Sequence, residues 1–279
     1  MILGVDHLSL SCEEIDSAVG LLVQAGYRVQ FIERRLPNHP SKRSFLKRYQ
    51  PLHAVAYCEA KIGVSIELTE HGALGSDGIK EGGYQPWLSA PPPDVVPLRG
   101  LRNYWTSALE SALGSLRPHA GFWMPFQAEV WYDERGSLPQ MAIPAVMVPI
   151  NDLKRSGAFW RNGLGATLLG EGTDPDGNAW LRFSFLAPLP KWSLDVILVE
   201  VQEVGGPTFL DSKGFPCLAL LTTDLAGDYE RLKEQGAMEF SGEFPLGING
   251  RALKVALARG PGGEIIELVQ VEHRHESKN

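Results

Sequence analysis

Four side chains that can do chemistry lie in short apolar segments of this sequence. His7 lies on one face of an alternating strand pattern, and a neutral imidazole there can bind a metal or transfer a proton near pH 7. Glu67 and Glu267 also lie among apolar residues, where a carboxylate needs a cation or a hydrogen-bond donor to stay charged. Cys217 fits a buried strand position, where a thiol usually packs as a small hydrophobic group. We interpret Glu67 and Glu267 as candidate catalytic residues.

Aromatic residues concentrate near the middle of the sequence. Trp180 and Arg182 alternate on one predicted strand and therefore share a face, and Trp131 lies in an earlier predicted strand. Such residues can line a cup for a planar ligand, or they can form a core or a dimer interface. We take Trp180, Arg182, Trp131 and Cys217 as candidate substrate-binding residues.

A basic run, RRLPNHPSKRSFLKR, occupies residues 34–48. It lies between two predicted strands and is longer than a tight hairpin needs. The run can fold over a neighbouring cup and bind an anionic group of a substrate, or it can be an ordinary solvated loop.

The elements that must position these residues form a repeat. Three segments each read as strand, helix and three further strands, and they occupy residues 1–70, 142–203 and 214–272. Each helix follows a capping signal and ends at a glycine. The three signals are Ser11 with Glu14, Asn151 with Asp152, and Thr223 with Asp224. The repeat predicts an α+β fold built from βαβββ modules.

One such module would leave a sheet face exposed, so the modules should pack in pairs. Because the second and third copies are consecutive, we expect residues 142–272 to form one pair. Residues 71–141 are a degenerate fourth module, a linker or a dimerisation arm, and residues 273–279 are expected to be a solvated tail.

Composition narrows the function classes. A chain of 279 residues that is 44% hydrophobic can bury one large core or two modest ones. A net charge of -7 disfavours nucleic-acid binding, and no run of residues is long and apolar enough for a membrane helix. Three cysteines without a CxxC spacing suit a reducing compartment, so the cytoplasm is the expected location of a soluble protein.

The arrangement resembles the vicinal oxygen chelate superfamily, which includes glyoxalase I, extradiol dioxygenases, and fosfomycin and bleomycin resistance proteins. The resemblance rests on VDHL at 5–8, IEL at 66–68 and PGGEIIELV at 261–269, and it covers residues 3–70 and 142–272. It implies curved mixed sheets of paired modules. It also implies a divalent metal such as Fe, Ni, Zn or Mn, held by histidine from first strands and glutamate from last strands.

Transferred position by position, the resemblance assigns His7 and Glu67 as metal ligands in the first copy. The second copy has Ala145 and Ile197 at these positions, and the third has Cys217 and Glu267. A paired C-terminal cup would therefore lack a suitable ligand set, and Glu267 would contact substrate or water. The remaining donors for the first copy could come from His53, His119, Glu129 or a second subunit.

These features favour a metal-dependent lyase, isomerase or ring-cleavage dioxygenase that acts on a small oxygen-rich substrate, either as a monomer or as a homodimer. The alternative is a metal-free protein that binds or sequesters a small molecule in an aromatic cup.

Overall fold

The computed structural model describes residues 1–72, 83–97, 104–113, 118–123, 126, 128–133, 141–185, 193–202 and 206–272. The tail predicted at 273–279 lies outside the described residues. Within the described ranges, sixteen strands form two mixed sheets of eight strands each, which is an α+β architecture. No helix in these ranges is long and apolar enough to cross a membrane.

The strands alternate with few helices. In chain order the strands are β1 (Ile2–Ser11), β2 (Arg28–Pro37), β3 (Leu52–Glu59), β4 (Ser65–Glu70), β5 (Gln85–Leu88), β6 (Val95–Pro97), β7 (Pro118–Trp123), β8 (Ala128–Asp133), β9 (Ala145–Ile150), β10 (Thr167–Thr173), β11 (Ala179–Ser184), β12 (Asp195–Glu200), β13 (Gly214–Thr222), β14 (Glu239–Ile248), β15 (Arg251–Arg259) and β16 (Ile265–Val271). The helices are α1 (Ile15–Gln24), α2 (Tyr104–Leu113), α3 (Leu153–Ala158) and α4 (Leu225–Glu234), with a 3-10 turn at Pro40–Phe45 and a π turn at Phe159–Gly163.

Helix starts follow the predicted signals in two of three modules. The carboxylates of Asp152 and Asp224 accept hydrogen bonds from backbone amides in the first turns of α3 and α4. In the first module Glu14 itself is the cap, and the Ser11 hydroxyl donates to the carbonyl of Leu210 instead. The capping box predicted for Ser11 and Glu14 is therefore wrong, because the Ser11 hydroxyl is engaged in a hydrogen bond to a residue far away in the sequence.

The pairing of modules differs from the expected one. The first sheet has the order β14-β15-β16-β13-β1-β4-β3-β2, so the first copy pairs with the third through antiparallel strands β1 and β13. The expectation that residues 142–203 pair with 214–272 in one sheet is wrong. Adjacency in the chain does not decide the pairing, because β9 of the second copy instead meets β5 from the connecting region.

Strands from the connecting region complete the second sheet. Its order is β10-β11-β12-β9-β5-β8-β7-β6, which mirrors the first sheet position for position. The helix of this region occupies a different place in the order of elements, however, because α2 follows the second strand, β6, whereas α1 follows the first strand of its module. The region thus supplies the four strands of a module with its helix in a new place.

The helix-bearing faces of both sheets share one core. Buried residues of the first sheet and of the second pack into a single cluster with α1, α4 and the π turn. Leu8, Leu22, Val146, Trp160 and Leu268 are representative of this cluster. The opposite, concave faces of the two sheets are separate cups. We call the one on the first sheet the first cup and the one on the second sheet the second cup.

Helix α2 fills the second cup. Its Ala108 and Leu109 are buried against Ala145 and Ile197, the two residues at the positions of His7 and Glu67 in the first module. Arg182 donates to the carbonyl of Ala112 near the end of α2 and also binds Asp195. The second cup is therefore packed with the protein's own chain.

Residues 38–49 cover the first cup, and we call them the covering segment. Phe45 and Leu46 from this segment are buried against Leu210 and Phe244. The carboxylate of Asp211 accepts hydrogen bonds from the backbone amides of residues 47 and 48, at 2.8 and 2.9 Å. The basic run thus folds over the cup, as one of the two interpretations of its sequence predicted.

Candidate metal centre

Three potential metal ligands converge at the base of the first cup. The Nε2 atom of His7 lies 3.6 Å from a carboxylate oxygen of Glu67 and 3.9 Å from one of Glu267. The three donor atoms all lie within 4.8 Å of one another. The side chains of His7 and Glu267 are 5% and 9% exposed, so this cluster of charge is largely shielded from water.

The strand register explains the convergence. In the parallel β1/β4 pair Ser9 lies opposite Glu67, and in the parallel β13/β16 pair Ala219 lies opposite Glu267. Strands β1 and β13 are antiparallel neighbours with His7 opposite Ala219. Because alternate residues share a face, both carboxylates and the imidazole point into the same cup. The site needs strands from both ends of the chain.

The residues present fit a divalent metal. Donors bound to one ion at about 2.0 to 2.2 Å lie no more than about 4.4 Å apart, and both histidine–carboxylate distances satisfy this limit. The Nε2 atom of His7 is buried and has no hydrogen-bond partner in the described part of the chain. An imidazole and two carboxylates are a donor set that suits Zn, Fe(II), Mn or Ni.

Asp6 fixes the orientation of the imidazole. Its carboxylate lies 2.8 Å from Nδ1 of His7 and accepts the proton of that nitrogen. A carboxylate behind a ligating histidine is a common feature of metal sites, because it sets the tautomer and leaves Nε2 for the metal. The ring also lies edge-on to Tyr57 at a centroid distance of 5.9 Å.

The electrostatics of the cluster favour a cation. Burial lowers the pKa of His7, but Glu67, Asp6 and Glu267 outweigh burial and raise this pKa to about 9. Burial also raises the pKa of Glu67, which His7 and Lys42 partly oppose. The carboxylates of Asp6, Glu67 and Glu267 thus stabilise a positive charge on His7. A bound divalent ion would replace the histidine proton.

Cys217 occupies the position equivalent to His7 in the third module. It lies opposite Ser9 across the β1/β13 pair and is fully buried among apolar residues that include Phe45. Burial and the two nearby glutamates raise the pKa of its thiol well above the ordinary range. The thiol does not belong to the three-ligand cluster.

A small cavity opens beside the cluster. It has a volume of about 30 Å³. Glu67, Glu267, Lys42, His53 and His71 contribute to its wall. His53 is among the further metal donors expected from the sequence, and Lys42 and His71 are not. Lys42 lies within the basic run, whereas His71 just beyond β4 carried no pattern that would have identified it.

The structure separates three of the four predicted substrate-binding residues from this cluster, whereas Cys217 lies near Glu67 and Glu267 in the first sheet. Trp131, Trp180 and Arg182 lie in the second sheet around α2, and both tryptophans are buried there. His119 and Glu129, which were possible further ligands, lie on β7 and β8 of the same sheet. Glu267 lies in the cluster with His7 and Glu67, because its module pairs with the first copy and not with the second. Contact of Glu267 with a substrate stays a prediction.

Known structures show the same architecture. Glyoxalase I from Zea mays superimposes with a TM-score of 0.59 at 16% identity, over 96% of this chain and 92% of that one. A variant of the same enzyme gives 0.61 at 16% identity, over 96% and 93%. A candidate dioxygenase from Bacillus subtilis gives 0.54 at 13% identity, over 96% and 85%.

The chain has a glyoxalase-like α+β fold. No protein-family model matches its sequence, and no curated protein matches it significantly. The likeness therefore lies in the three-dimensional arrangement. In this arrangement the first strand of the first module and the last strands of the first and third modules bring His7, Glu67 and Glu267 together.

Proposed function

We propose that the protein is a metal-dependent enzyme that acts on a small oxygen-rich substrate in the first cup. The convergence of His7, Glu67 and Glu267, with a buried and unpartnered Nε2 atom, carries this proposal. These three residues hold the divalent ion. When bound, the ion acts as a Lewis acid that polarises substrate oxygens.

The remaining residues define what the protein itself does. Asp6 keeps the imidazole in its ligating tautomer, and the covering segment excludes water from the cup. Glu67 is the candidate base, because burial raises the pKa of this carboxyl above its ordinary value and so makes it a stronger proton acceptor. A lyase, an isomerase and a ring-cleavage dioxygenase can all use this arrangement.

No observation favours the alternative of a metal-free aromatic cup. The cup that Trp131 and Trp180 border is filled by α2, whereas the first cup contains the three-ligand cluster.

Two assays test the proposal and separate the reaction types. Protein loaded with Fe(II) is incubated with catechol while oxygen uptake is recorded. Protein loaded with Ni(II) or Zn(II) is incubated with the hemithioacetal of methylglyoxal and a thiol. We expect metal-dependent turnover in one assay, and its loss in Glu67→Gln. Glu59→Gln, which changes a carboxylate paired with Arg28 on the surface, is the matched control. Absence of both turnover and metal retention would contradict the proposal.

A further inference from the structure

Two buried imidazoles border the first cup, and the Nδ1 atom of each has no hydrogen-bond partner among the described residues. His53 and His71 are 5% and 7% exposed, and their rings stack with centroids 5.4 Å apart. The Nδ1 atom of each is buried and meets no hydrogen-bond partner anywhere in the described ranges. Such atoms cost free energy in a folded protein unless a ligand or water satisfies them. The fold therefore keeps two buried ring nitrogens, the Nδ1 atoms of His53 and His71, available for a hydrogen bond to a ligand or water.

A cation lies beside this pair. Lys42 of the covering segment is half-buried, and no carboxylate of the described residues lies within ion-pair distance of it. Burial first, and then the charge of Lys42, lowers the pKa of His53 to about 2 and of His71 to about 3. Both rings are thus neutral near pH 7, and each has one donor and one acceptor nitrogen.

The cavity connects these groups to the proposed metal centre. Lys42, His53 and His71 share its wall with Glu67 and Glu267. Glu67 and Thr69 alternate on β4, and His71 follows directly after this strand, so the imidazole pair lies further along the cup than the cluster. A volume of about 30 Å³ accommodates one or two water-sized groups, which is closer to a carboxylate than to a phosphoryl group.

We propose that Lys42, His53 and His71 form a subsite for a carboxylate of the substrate. This inference rests on the proposed function. It specifies the substrate as a small acid that has a second carboxylate beyond the oxygens that meet the metal. The ammonium of Lys42 donates to this carboxylate, and an imidazole N–H of the pair completes its hydrogen bonds. Because Lys42 belongs to the covering segment, that segment supplies the cation of the subsite.

Metal-loaded protein titrated calorimetrically with three acids tests the inference. Lactate offers a vicinal hydroxyl and carboxylate, whereas malate and 2-hydroxyglutarate add a second carboxylate at increasing distance. We expect at least one diacid to bind about tenfold more tightly than lactate, the ratio expected for one additional charge-assisted contact. Lys42→Met should abolish this preference and leave lactate binding unchanged, and the double variant His53→Gln and His71→Gln should weaken it.

Arg43→Met is the matched control. Arg43 lies on the same turn, is exposed and lies over the ring of Tyr49 at 4.6 Å, so its loss removes one charge without touching the cavity. Equal affinity for the three acids overturns the inference, as does a diacid preference that survives in Lys42→Met. Thermal unfolding of each variant identifies any that has failed to fold.

Metal content, measured separately, keeps the two proposals distinguishable. If the protein retains no metal but binds succinate in a manner that Lys42→Met abolishes, the metal centre fails and the carboxylate subsite stands. If it retains metal at His7, Glu67 and Glu267 but shows no diacid preference, the subsite fails and the metal centre stands.

Discussion

Asp6 controls which nitrogen of His7 faces the cup. Its carboxylate binds Nδ1 at 2.8 Å and is itself partly exposed, so removing it changes the imidazole without emptying the core. We expect Asp6→Ala to weaken metal binding about 10- to 100-fold, because the ring loses both its fixed orientation and some basicity. Competition with a chromophoric chelator measures this affinity. Asp16→Ala, which removes an exposed partner of Arg34, should have the affinity of the wild type.

A buried carboxyl, that of Glu264, controls stability rather than metal binding. Glu264 is 1% exposed, and the indole of Trp160 donates to it at 2.9 Å. Burial raises its pKa to about 7, above its ordinary value of 4.5. The folded state therefore binds this proton more tightly than the unfolded chain does. The contribution to stability is complete below about pH 4.5 and is lost as the pH rises through about 7.

Glu264→Gln should remove this dependence, because the amide keeps an acceptor for Trp160 and has no charge to bury. Between about pH 5 and about pH 8 the unfolding free energy of the variant should rise relative to the wild type by on the order of 3 kcal/mol. Urea unfolding of variant and wild type at both pH values measures this difference in unfolding free energy. All other titrating groups, such as His7, are present in both proteins, so their effects cancel. The same difference for Glu234→Gln, an exposed carboxylate on α4, should be near zero. A pH-independent difference for Glu264→Gln would show that this carboxyl is not protonated in the fold.

At the scale of elements, α2 distinguishes the two cups. The second sheet has the same strand order as the first, yet its concave face is covered by a helix that packs on Ala145, Ile197 and Trp180. Arg182 links this helix to the sheet through the carbonyl of Ala112 and the carboxylate of Asp195. Arg182 thus has one hydrogen-bond partner on the helix and one on the sheet.

We expect Arg182→Met to lower the unfolding free energy by about 1 to 3 kcal/mol, because Asp195 and the end of α2 lose their donor. Metal affinity of the first cup should stay that of the wild type, since the two cups lie on different sheets. Chemical denaturation and chelator competition on the same sample measure both quantities. A loss of substrate turnover without any loss of stability would instead support the ligand-binding role that the sequence suggested for Arg182.

The sequence predicted most elements of the three modules but not this helix position. The capping residues Asp152 and Asp224 and the strands around His7 and Glu267 follow from local patterns, because hydrophobic period and capping chemistry act within a few residues. The position of α2 differs in this respect from those elements. The location of this helix inside a cup depends on contacts with four other strands, and such long-range packing leaves no local signature.

At the scale of the whole molecule, strand pairing between the ends of the chain creates the candidate site. His7 and Glu67 were expected as ligands from the resemblance of one module. Glu267 was placed at the correct position of its own module but assigned to a different cup, because the second and third copies were expected to pair. The pairing of β1 with β13 brings residues about 260 positions apart in the chain into one cluster.

Metal content per chain tests the central claim that the first and third modules share one metal site. The untagged protein, His7→Ala, Glu67→Ala and Glu267→Ala are each loaded with metal, desalted and analysed by mass spectrometry. We expect nearly one divalent ion per chain in the wild type and a loss in all three variants, with unchanged far-ultraviolet circular dichroism. A wild type without metal, or a Glu267→Ala variant that retains the full amount, would contradict this account.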